Sequence, residues 1–354
     1  MRNISDVDSN LKVVKDFPRD GLVYRDVLDA PFSVHGVTHD GERFVRLPAD
    51  VARSVSEGVY ALHSHTAGGR IRFRTDSARI ALRAYMNEVY KMPHFAFSGS
   101  CGFDLYVDGK YSGTFMPPVD LEMGYESLLN IGSGGVRGIE INMPLYSGVT
   151  ALEIGLDEGC ELLAPDAYLY EPPIVFYGSS VTQGGCASRP GMSYEAILSR
   201  RLGVDHVNLG FSGSARAELE MAEYIKSLKM LAFVYDYDYN SPDAKHLAST
   251  HKRMFDIIRE AHPTLPILML SRPCYSVDET RDERARVIIS TYEQAVASGD
   301  ENVYFIPGSR LMSLAGDEGT VDNCHPTDLG FYSMAQTILD EIESGGVRIT
   351  PDLI

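Results

Sequence analysis

Apolar and polar residues alternate through the first 165 positions with the period of two that a half-buried strand requires. In "RIRFRTDSARIALRAYM", Ile71 and Phe73, then Ile80, Leu82 and Ala84, occupy alternate positions on either side of a turn at "TDSA". "GFDLYVDGKYSGTF" sets Phe103, Leu105 and Val107 against Asp104 and Tyr106 and turns at Asp108-Gly109, a dipeptide that favours a two-residue hairpin. "GVRGIEINMPLYSGVTALEIGL" continues in the same style, with "GVTALEIGL" as a closing strand. Short strands joined by tight turns predict an antiparallel β-sandwich of jelly-roll-like form over residues 1–170.

From "LLAPDAYLYEPPIVFYG" onward the rhythm changes, with Pro172-Pro173 marking the end of a linker. The strand-like runs "IVFY", "HVNLG", "LAFVYDY", "PILMLS" and "VYFIPG" alternate with helical stretches at Ser193–Leu202, Ala217–Leu228, Ala244–Ala261, Glu279–Ala297 and Thr327–Glu343. Within the third of these, Leu247, Met254, Ile257 and Ile258 make one apolar stripe. Strict alternation of strand and helix over residues 171–354 predicts a second domain, an α/β unit with a parallel sheet covered on both faces. No internal repeat relates the two halves.

Open parallel sheets bind ligands beyond the carboxyl ends of their strands, so the loops after these strands are where chemistry is expected. After "IVFY" come Gly178, Ser179 and Ser180. Either serine could cap the turn, or one could be a nucleophile with a backbone amide beside it. After "HVNLG", the run "FSGSA" places Gly213 where an amide could face a ligand, or simply make a tight turn. "LAFVYDYDYN" ends on Asn240, an amide donor or a routine turn residue, with Asp236 and Asp238 giving the strand end an acidic face expected to line a polar pocket. "DNCHP" sets Asp322 three residues before His325, close enough for the carboxylate to orient an imidazole base. Each motif alone has a bland explanation. Their agreement in chain order, at the right ends of the strands, favours a shared site.

Composition narrows the partners. The 354 residues carry 49 acidic against 32 basic side chains, a formal charge of −17 that disfavours nucleic acid. The polar opening "MRNISDVDSNLKVVKDFPRDG" lacks the apolar core of a secretory signal, and no run approaches the roughly 20 apolar residues of a membrane span, so a cytoplasmic protein without a membrane partner is expected. Five scattered cysteines predict no disulfide framework. Cys324-His325 with Cys186 could be imagined as a soft-metal site, but the spacings fit no standard zinc pattern, and no metal or other cofactor is expected.

"YGSSVTQGG", "NLGFSGSA", "YDYN" and "DNCHP" resemble the four blocks of the SGNH (GDSL-type) hydrolase superfamily, and "GFDLY" at Gly102–Tyr106 resembles the G-x-D-L-Y module that precedes the hydrolase domain in one of its branches. The resemblance implies a flavodoxin-like α/β/α hydrolase domain. It implies Ser180 as nucleophile, His325 as general base and Asp322 as its orienting acid, with the Ser180 and Gly213 amides and the Asn240 side chain as the oxyanion hole. Two departures stand out: Ser179 occupies the place of the usual aspartate, and Tyr239-Asn240-Ser241 replaces the usual G-x-N-D. The family implies a serine esterase acting on short acyl groups, acetyl foremost, on a carbohydrate or glycoside, with a small-molecule or glycan ester as partner and self-association left open. The competing readings are a lipase or thioesterase for longer chains and a non-catalytic carbohydrate-binding protein with a degenerate hydrolase half. Arg216 and Arg272 are candidate contacts for an anionic substrate.

Overall fold

A computed structural model of the protein describes residues 7–8 and 12–349; the opening residues 1–6 and 9–11 and the closing residues 350–354, on which part of the N-terminal reading and the end of the second domain fall, lie outside the described residues. The N-terminal half folds into two facing antiparallel sheets. One orders the strands Leu22–Asp26, Ser147–Asp157, Arg79–Val89 and Gly124–Asn130; the other orders Leu162–Leu163, Arg70–Thr75, Arg137–Asn142, Phe103–Val107 and Lys110–Phe115, with Ser33–His35 also paired to Arg70–Thr75. Ile71, Phe73, Ile80, Leu82, Phe103 and Leu105 meet in the core between the sheets, as alternation requires. The Asp108-Gly109 hairpin forms with Val107 opposite Lys110 and with both turn residues at positive φ, 47° and 74°, the geometry that matches strand twist.

The polar side of "GFDLY" does not face water. Asp104 and Tyr106 are 0% and 4% exposed, because the outer face of this sheet is covered by the C-terminal half. Asp104 accepts hydrogen bonds from Arg189 Nη1 at 2.6 Å, Gly191 N at 2.9 Å and Asn142 Nδ2 at 2.9 Å, while the Tyr106 hydroxyl accepts from Arg189 Nη1 at 2.6 Å. The motif is thus a latch between the halves, and removing one partner would leave a buried charge uncompensated.

The C-terminal half holds a five-stranded parallel sheet in the order Val204–Gly210, Tyr170–Gly178, Ala232–Asp236, Ile267–Leu270, Val303–Ile306. In chain order this is 2-1-3-4-5, the flavodoxin-like arrangement. Alternate residues of each strand feed two cores. Ile174, Phe176, Val234 and Leu268 pack with helices Tyr194–Leu202 and Asp328–Glu343. Val175, Tyr177, Phe233 and Ile267 pack with helices Leu219–Lys226, Ala244–Ala261 and Glu283–Ala297. Pro172-Pro173, read as the end of a linker, instead lies inside the first strand. Pairing to its neighbour lapses between Tyr170 and Ile174, where two residues without N–H groups interrupt the ladder.

Two short helices not read from the N-terminal sequence, Ala49–Val55 and Glu57–Leu62, place Ala52, Val55 and Val59 in the second of these cores, and Ala67, Phe95, Leu145 and Tyr146 enter the first. Among the described residues no helix is long and apolar enough to cross a membrane.

Candidate active site

The first parallel strand ends at Gly178 and the chain turns at once into the short helix Ser180–Gln183. A Cβ on Gly178 would fall 1.7 Å from Asp236 Oδ1 and 2.1 Å from Thr182 Oγ1, so only glycine lets this strand end pass its neighbour. The paired serines then separate in role. Ser179 is fully buried and its Oγ accepts from Val181 N at 3.2 Å, the bond of a helix cap. The Ser180 Oγ lies 2.9 Å from His325 Nε2.

His325 is set by its own loop. Val321 N donates to His325 O at 2.9 Å, Thr320 and Pro326 form a bridge, and Asn323 between them adopts φ +66°, a left-handed conformation that asparagine tolerates better than most residues. The tight loop turns Asp322 back on the histidine: His325 N donates to Oδ1 at 2.7 Å and the ring Nδ1 lies 2.7 Å from Oδ2. Since an ionised carboxylate only accepts, Nδ1 carries the proton and Nε2 is left to accept from Ser180. Partial burial raises the Asp322 carboxyl, but the hydrogen bonds from His325 and Cys324 outweigh it and hold it below its ordinary value.

The glycine and asparagine blocks are tied to the same helix. Gln183 Oε1 accepts from Ser212 N at 3.0 Å, and Asn208 Nδ2 donates to Thr182 O at 2.6 Å. Gly213 holds φ +67°, closing the turn that follows. Asn240 Nδ2 donates to Phe211 O at 2.9 Å, leaving its second amide hydrogen for another acceptor. The structure brings Ser180, Asp322 and His325 into one hydrogen-bonded chain and hooks Asn240 onto the Gly213 turn.

Asp236 and Asp238, expected to line an open polar pocket, are instead packed beneath the site at 2% and 1% exposure. Asp236 accepts from Thr182 Oγ1 and, at 3.5 Å, from the Tyr194 hydroxyl. Burial, with the Asp238 charge adding, lifts it to about 8 against the Thr182 bond, and burial lifts Asp238 to about 6. Of the candidate arginines, Arg272 is paired with Asp282, whereas Arg216 is exposed beside the glycine block, with Nη2 3.3 Å from Gly213 O.

Several contributors come from the N-terminal half and carry no local motif. Arg46 is 4% exposed; its Nη1 donates to Gly210 O at 2.5 Å and its Nε to His65 O at 2.7 Å, while its guanidinium lies 4.7 Å from the Phe211 ring centre. Desolvation presses it down to about 9, still charged at neutral pH. It braces the glycine block from behind. The Tyr146 hydroxyl reaches Ser180 O at 3.4 Å, and His65, in contact with Gln183 Nε2 at 3.1 Å, lies between the rings of Tyr146 and Tyr90. His94 Nε2 stands 3.9 Å from Asp322 Oδ2. A separate cavity of about 270 Å³ between the halves, lined by Arg72, Tyr106, Tyr168 and Arg200, opens near the amino ends of the first two parallel strands, opposite to Ser180.

Residues 171–343 match the family model of the GDSL-like lipase/acylhydrolases, and residues 22–162 match the GxDLY model, the N-terminus of SGNH-hydrolase-type esterases. Among solved structures, a Bacteroides ovatus protein assigned as a GDSL-like lipase is 29% identical, with a TM-score of 0.79 over 91% of this chain and 97% of that one. The salicylyl-acyltransferase SsfX3 from a tetracycline biosynthetic pathway is 21% identical, with a TM-score of 0.76 over 93% and 98%. An acetyl xylan esterase from the rumen bacterium Butyrivibrio proteoclasticus is 13% identical, with a TM-score of 0.61 over 92% and 98%. The last two are likenesses of fold. No curated protein matches the chain.

Proposed function

Because the chain belongs to the GDSL-like lipase/acylhydrolase family and carries its GxDLY N-terminal module, we propose that this ester hydrolase works through a Ser180–His325–Asp322 triad and removes short acyl groups, acetyl foremost, from a carbohydrate or glycoside. The observation that carries the reading is the unbroken chain from Ser180 Oγ to His325 Nε2 at 2.9 Å and from His325 Nδ1 to Asp322 Oδ2 at 2.7 Å.

In the acylation step His325 Nε2 takes the Ser180 proton as Oγ bonds to the ester carbonyl carbon, and the carbonyl π electrons move to oxygen. The Ser180 and Gly213 amides and the second hydrogen of Asn240 Nδ2 receive that oxyanion, and Asp322 stabilises the imidazolium. Collapse expels the alkoxide, which takes the proton back from Nε2. Water, deprotonated by the same nitrogen, then releases the acid from Ser180.

Two features favour a short acyl group on a sugar. Tyr90, 47% exposed, has its ring tilted against that of His65 with 5.1 Å between ring centres and offers an aromatic face for a sugar ring. The two-module layout is shared with the acetyl xylan esterase across 92% of this chain. Measuring kcat/KM for acetylated oligosaccharides and for aryl esters from acetyl to decanoyl tests the reading. Acetyl is expected to be preferred, and a rise with chain length would overturn the short-chain assignment.

A further inference from the structure

Beside the catalytic histidine stands a second constellation that the proposed ester chemistry does not use. One ligand atom each from His94, Cys186 and His325 lies within 4.8 Å of the other two. Spacing along the chain hides it, because His94 comes from the N-terminal half, Cys186 from the turn after the Ser180 helix, and His325 from the last loop. Cys324, the residue that sequence spacing would pair with Cys186, is not in the set.

We infer that these three side chains form a binding site for a thiophilic divalent cation, zinc by chemical class, whose occupation switches the hydrolase off. Two imidazoles and one thiolate are a donor set typical of zinc, which takes four ligands tetrahedrally and leaves the fourth position to water. Zinc–ligand bond lengths require donors to stand roughly 3.3–3.6 Å apart, so side chains already within 4.8 Å of one another close by about 1 Å. Entry is open: the His94 side chain is 42% exposed and its Nε2 is 3.9 Å from the ionised Asp322. That carboxylate draws in a cation and holds the His325 ring in place. On binding, the Cys186 thiol gives its proton to solvent and its sulfur lone pair to the metal.

Inhibition follows whichever His325 nitrogen binds. At Nε2 the metal takes the lone pair that must accept the Ser180 proton. At Nδ1 it displaces the ring proton that Asp322 accepts as a hydrogen bond, and that proton passes to Nε2, which then cannot accept from Ser180. The effect on turnover rests on the ester-hydrolase reading above, whereas binding itself does not.

Two readouts separate the claims. In the full-length Ser180→Ala protein, added Co²⁺ should give a thiolate-to-cobalt charge-transfer band, lost on adding Cys186→Ser and retained on adding Cys324→Ser. In the otherwise unaltered protein, added Zn²⁺ should suppress p-nitrophenyl acetate turnover, with activity restored by EDTA. With turnover scaled to each protein's own metal-free rate, His94→Ala should raise the Zn²⁺ concentration for half-inhibition at least tenfold, in line with the loss of a metal-site residue. A missing band in Ser180→Ala, a band that follows Cys324 rather than Cys186, or Zn²⁺ sensitivity unchanged in His94→Ala would overturn the site. A Cys186-dependent band in Ser180→Ala together with no ester turnover by the otherwise unaltered protein would uphold the metal site and defeat the hydrolase reading instead.

Discussion

Asp322 and Asp236 both stand one contact away from the Ser180 turn, Asp322 through His325 and Asp236 through Thr182, yet the fold shifts their carboxyls in opposite directions. Asp322 has a side chain 34% exposed and three hydrogen bonds from its own loop, which overcome its burial and keep it ionised. Asp236 is almost wholly buried and faces a second carboxylate, so it is lifted to about 8 and carries a proton at neutral pH. The same side chain is an orienting anion in one place and a neutral packing group in the other. Solvent access and the number of donors decide between them.

The contrast breaks if both aspartates respond alike to an amide of nearly the same shape. Asp322→Asn is expected to lower kcat by about 10⁴-fold, since an amide no longer selects the productive histidine tautomer; steady-state kinetics on an aryl acetate measures this. Asn240 lies four residues beyond Asp236 and tests whether the same strand end serves the reaction at all. Asn240→Ala should reduce kcat by about 10²–10³, the usual cost of one oxyanion donor, with KM changed far less.

Asp236→Asn should leave kcat/KM at pH 7 within about tenfold, because it replaces one neutral group by another, and its signature is in stability instead. The unfolded carboxyl ionises near 3.8 and the folded one near 8, so between these values the folded protein holds a proton that the unfolded chain has released. Wild-type stability attributable to this group therefore falls as pH rises through that window. The Tm of Asp236→Asn, measured by scanning calorimetry against wild type, should gain by several degrees between about pH 4 and pH 8. A constant difference across that range would mean that Asp236 is ionised as Asp322 is.

Much of this was open to reading in the residues. Strand alternation at Ile71 and Phe73, the Asp108-Gly109 turn and the apolar stripe at Leu247, Met254 and Ile258 report local geometry, and each appears as its spacing implies. That Ser180, Asp322 and His325 lie together could be read because a short loop motif and the ends of parallel strands are local signals. The charge of Asp236 could not, since alternation with tyrosines says which face a side chain takes and not whether that face meets water. Pro172-Pro173 misled because a proline pair ends strands and also fits a lapse inside one. Arg46, Tyr146, His65 and His94 had no signal at all: Arg46, His65 and His94 reach the site across more than a hundred residues of chain and Tyr146 across 34, and only the packing of the sandwich on the α/β half brings them there.

The central claim is that Ser180, and not its capped neighbour Ser179, attacks the ester. Hydrolysis of p-nitrophenyl acetate by Ser180→Ala and by Ser179→Ala, side by side with wild type, tests it most directly. The account predicts a fall of about 10⁴-fold or more for Ser180→Ala, the scale of losing a triad member, and less than about tenfold for Ser179→Ala, the cost of a helix cap being carried mainly by stability. Wild-type turnover retained in Ser180→Ala, or abolished only in Ser179→Ala, would contradict it.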